Sequence, residues 1–73
     1  MRIKTVKGHL TATEKRAIAA IINAGLTIGK VNRKTYSVAK HDSGYSVMIV
    51  QNETDFFSGK IAAKSYFAEF VLK

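Results

Sequence analysis

A chain of 73 residues has room for one domain, spanning 1–73, and one modest core. It contains neither Cys nor Pro, so no disulfide or thiolate metal site reinforces that core, and stability must come from packing, from a second copy or from a partner. Its net charge of +7 creates a field that recruits anionic partners.

That charge is unevenly spread. Residues 1–40 carry nine basic side chains against one acid, Glu14, whereas residues 41–73 carry three against four. An apolar fraction of 47% argues against disorder. The longest apolar run, Ala17-Ile18-Ala19-Ala20-Ile21-Ile22, is too short for a membrane span. The basic N-terminus is not followed by the apolar stretch of a signal peptide. Absence of cysteine and of a leader fits a cytoplasmic setting.

Residues 2–8 read as a short strand on the strength of Ile3, Thr5 and Val6, although Ile3 and Val6 cannot share a face. Residues 12–24 read as a helix. Thr11 and Glu14 have the spacing of a capping box. Ile18, Ile21 and Ile22 make one apolar stripe, and Gly25 supplies the stop. Lys15 and Arg16 sit in its first turns, where cations oppose the helix dipole. Such a local misfit marks a candidate binding surface.

Residues 26–41 alternate around Leu26 and Ile28, then around Tyr36 and Val38, which reads as a strand bent or broken near Gly29 or Asn32. Asp42-Ser43-Gly44 is a hairpin turn. Residues 45–51 are apolar on both faces, as a central strand is. Residues 52–59 read as a polar loop carrying Phe56 and Phe57. For the C-terminal element a strand over 64–72 is favoured over a helix. The expected fold is α+β, a single helix packed on a small antiparallel sheet in the order β-α-β-β-β. Its expected core is Ile18, Ile21, Ile22, Leu26, Ile28, Val38, Val47 and Ile49, with some of Phe67, Phe70 and Leu72.

No motif for catalysis stands up. Gly25-Leu26-Thr27-Ile28-Gly29-Lys30 has three residues between its glycines and Val31 after the lysine, where a phosphate loop needs four and a Ser or Thr. His9 and His41 lack the further ligands a metal needs. Glu53 and Asp55 fall in the polar loop, and Ser43, Ser46 and Ser58 have no evident base beside them. The chain is expected to be no enzyme and to hold no cofactor or metal. Lys64-Ser65-Tyr66-Phe67 departs from the basic–Gly–aromatic start of an RNA-recognition octamer, and reads as an edge strand with its aromatics in the core.

The remaining candidate is electrostatic. Lys30, Arg33, Lys34 and Lys40, with Tyr36 among them to stack on a base, form a phosphate-binding set that Lys4, Lys15 and Arg16 would extend. The expected function is a nucleic-acid-binding module making mainly phosphate contacts to DNA or RNA. The alternative is a small phage-type inhibitor that fills the nucleic-acid channel of a larger protein, anchored by Phe56 and Phe57.

Overall fold

The computed structural model describes residues 2–54 and 61–73. The elements run β1 (Ile3–Lys7), α1 (Ala12–Asn23), β2 (Ile28–Val31), β3 (Lys34–His41), β4 (Gly44–Thr54) and β5 (Ile61–Leu72). All strands join one antiparallel sheet in the order β1-β5-β4-β3-β2. The expected α+β architecture is present, and the C-terminal element is a strand. No helix among the described residues is long and apolar enough to cross a membrane.

The segment 26–41 is a hairpin, not one strand. Asn32 and Arg33 both take positive φ, 52° and 65°. Two consecutive positive values make the two-residue turn whose twist suits the flanking strands. The break near Asn32 therefore reverses the chain and adds β2 as an edge. The polar stretch after residue 51 is also partly strand, since β4 runs on to Thr54 opposite Ile61.

The helix is built as its sequence suggests. The Thr11 amide donates to Glu14 Oε1 at 2.8 Å, and the Glu14 amide donates to Thr11 Oγ1 at 3.2 Å. At the other end Gly25, at φ 74°, lets the Gly25 and Leu26 amides donate to the carbonyls of Ile22 and Ile21. The helix then settles on β2 through Gly29. A Cβ there would stand 2.6 Å from Ile21 Cγ1, so only glycine permits this approach.

Strand alternation assigns the core. Tyr36 and Val38 of β3, Val47 and Ile49 of β4, Ala68 and Phe70 of β5 and Ile3 of β1 share the helix-facing side, and are buried against Ala17, Ile18 and Ile21. Each fully buried large apolar side chain here contributes about 1.5–3 kcal/mol. Phe70 also stacks on Tyr45, its cross-strand partner, with ring centroids 5.2 Å apart. Two expected core members are exposed. Leu26 follows the helix stop, and Ile28 lies opposite Ser37 on the side that the helix does not cover. Ile22 and Leu72 are only partly buried against the core.

Candidate nucleic-acid interface

Order in the sheet differs from order in the chain. β1 and β2 come from the basic N-terminal half, yet they form opposite edges, with β5 and β4 between them. Five strands spaced by about 4.8 Å put those edges ~19 Å apart. The cations of residues 1–40 are thus divided between two edges and two faces, and do not gather into one patch.

On the face without the helix, Lys30 lies opposite Thr35 at the β2 edge, and Lys4 lies opposite Val71 at the β1 edge. Lys7 is on the same face, directly across from Glu69. Arg33 occupies the turn between β2 and β3 and is exposed. Lys4, Lys30 and Arg33 are exposed and form no ion pair among the described residues.

Five other expected contacts turn elsewhere. Lys34 points to the helix side, where its Nζ lies 3.6 Å from Glu14 Oε2. Tyr36 is 1% exposed and belongs to the core, so it offers no surface for a base. The reason is parity: Tyr36 is in register with Ile49 beneath the helix. Lys40 is exposed at the far end of that same face, opposite Tyr45. Lys15 and Arg16, with Arg2, line a shallow cavity of about 390 Å³ between the helix and the β1 edge. Phe56 and Phe57 lie outside the described residues.

Glu14 is the centre of a polar cluster the sequence did not disclose. It is 3% exposed, and the Tyr66 hydroxyl donates to its Oε2 at 2.6 Å. Burial pushes the carboxyl up, but the Thr11 amide, the Tyr66 hydroxyl, the Thr11 hydroxyl and the Lys34 ammonium together hold it below the usual carboxylate range. For Lys34 burial acts downward, but Tyr66 and Glu14 outweigh it and raise the ammonium above its ordinary value. The Tyr66 phenol is pushed up by burial and by its bond to Glu14. One carboxylate thereby ties the helix start to β3 and β5.

The uncovered face holds what the sequence reading missed. Register places Ile28, Ser37, Met48 and Phe67 side by side across β2, β3, β4 and β5. Phe67 is 46% exposed, Met48 42% and Ile28 61%. β5 is an inner strand, which corrects the edge-strand expectation, and of its two aromatics there Phe67 is exposed while Tyr66 packs against the core. The signal was available in the element count, because a single helix covers only one face of a sheet.

Ser46 does have a base beside it. His41 Nε2 lies 2.7 Å from Ser46 Oγ, joining β3 to β4 near their shared turn. Among the described residues nothing holds that imidazole through Nδ1, and the bond fastens the end of the hairpin. No protein-family model matches the chain, and no curated protein or solved structure matches it.

Proposed function

We propose that this protein is a non-enzymatic nucleic-acid-binding module that grips phosphates with cations at both edges of its sheet. One observation carries this reading: Lys4 at one edge, and Lys30 and Arg33 at the other, are exposed without ion pairs among the described residues, and flank a face without the helix. Free cations condense phosphates and release counterions, whereas a cation already engaged by a carboxylate has less to offer. Lys34 is therefore reassigned to holding the helix, and Tyr36 to the core.

A further feature supports the hairpin tip as a contact. Arg33 sits at a turn position where Gly is favoured and a side chain is strained. Strain of this kind persists where the side chain serves a purpose. Titration of labelled oligonucleotides across a salt series tests the proposal. Affinity should fall steeply with salt, and Lys30→Glu with Arg33→Glu should lower the log–log slope by about one to two. Lys40→Glu, on the opposite face, should leave the slope nearly intact. A wild-type protein that ignores oligonucleotides at low salt, or a slope indifferent to Lys30 and Arg33, overturns the reading.

A further inference from the structure

We infer that the bound species is a single strand, laid across the helix-free face with a base stacked on Phe67. This rests on the nucleic-acid reading above and specifies its substrate. The lane is defined by register. Lys7 pairs with Glu69, two residues along β5 from Phe67 on the same face. Phe67 pairs with Met48, Met48 with Ser37 and Ser37 with Ile28. Lys30 stands two residues beyond Ile28 on the same face. A path across the strands therefore begins at a cation set beside the Glu69 carboxylate, crosses an aromatic ring, a thioether, a hydroxyl and an aliphatic side chain, and ends at the cation of Lys30.

That sequence of chemistries matches an unpaired nucleic-acid strand better than a duplex. A duplex hides the faces of its bases and would meet only the two edges of the sheet. A single strand presents phosphates and bare base faces together, and base stacking on an aromatic ring is independent of sequence. The ~19 Å width between edges accommodates about two or three nucleotides, the number that aromatic-bearing RNA-binding sheets hold. Lys4 and Lys30, exposed at opposite edges of the face and without ion pairs among the described residues, favour a polyanionic strand over a second copy of this basic chain as the occupant.

Fluorescence anisotropy with the full chain decides the matter. The probes are an oligothymidylate, an oligouridylate and a mixed-sequence duplex, each of about ten nucleotides, at matched salt. The single strands should bind more tightly than the duplex. Phe67→Ala should weaken single-strand binding about tenfold, leave duplex binding unchanged and preserve the melting temperature. The chain has three Tyr and no Trp, so Phe67→Trp installs a single tryptophan, excited apart from the tyrosines, that should retain affinity and be quenched by a stacked base. The two single-strand arms separate DNA from RNA as the preferred source. Salt-dependent binding that is equal for duplex and single strand, or unaffected by Phe67→Ala, overturns the stacking lane and leaves the phosphate reading standing. No binding to any probe at low salt overturns both. A dimer in sedimentation that Phe67→Ala dissolves also overturns the lane, by giving the face to a second copy.

Discussion

The two faces of the sheet are made by the same strands and obey opposite rules. On the helix side Tyr36, Val38, Val47, Ile49, Ala68 and Phe70 interlock with Ile18 and Ile21, and Val47, Ile49 and Ala68 have no exposed surface at all. On the other side their immediate neighbours Ser37, Met48 and Phe67 meet solvent. Charges differ in part. The helix side neutralises Lys34 with Glu14 and leaves Lys40 at its far end without an ion pair, while Lys4 and Lys30 on the open side both stay unpaired among the described residues. One face therefore has an evident structural purpose, and the other keeps apolar and cationic groups that folding does not use. Exposed apolar surface rimmed by charge is where binding is to be sought.

The sharpest way to break this contrast is a matched pair of truncations in β4. Ile49→Ala should cost about 2–5 kcal/mol, because it opens a cavity in a packed interior. Met48→Ala, one residue away, should cost no more than about 0.5 kcal/mol, as surface substitutions do. Urea denaturation of both variants measures the difference, and equal losses would mean that the open face is also part of the core.

Next in size is the Glu14 cluster. Glu14→Gln removes the carboxylate shared by Tyr66 and Lys34, and should destabilise by about 1–3 kcal/mol near neutral pH. The pH dependence follows from the lowered pKa of Glu14. A carboxyl held below its ordinary range when folded contributes its full stabilisation above that range. The contribution disappears as pH falls through the depressed folded value. Thermal melts of the native chain should therefore be flat in this respect from neutral to mildly acidic pH and then decline. The Glu14→Gln variant should lack that share of the decline, and an identical acid profile would remove Glu14 from the account.

The smallest effect separates stability from function at the hairpin tip. Arg33→Gly relieves a side chain at φ 65° and should stabilise by about 1 kcal/mol. It should also weaken oligonucleotide binding several-fold, since one phosphate contact disappears. Melting temperature and affinity moving in opposite directions would confirm that Arg33 is kept for its charge. A loss of both would show that the side chain supports the turn.

Much of the fold was legible because it is local. The Thr11–Glu14 box, the isoleucine stripe, the stop at Gly25 and the turn at Asp42-Ser43 each depend on residues a few positions apart. The imperfect alternation of the first strand is visible as a register shift between Thr5 and Lys7. The candidate site was only partly legible. Lys4, Lys30 and Arg33 were named and are exposed, but Tyr36 was named and is buried. Phe67 and Met48 were placed in the core or passed over, since alternation tells two faces apart without telling which of them a helix will cover.

Local pattern, composition and net charge were enough to specify one small α+β domain with a basic first half, because helix caps, turns and strand alternation are short-range effects. Strand order was a different matter. By placing β1 and β2 at opposite edges, the sheet separated the cations that lie close together along the chain and set Phe67 between them. Long-range pairing between β1 and β5 makes that arrangement, and no stretch of neighbouring residues encodes it.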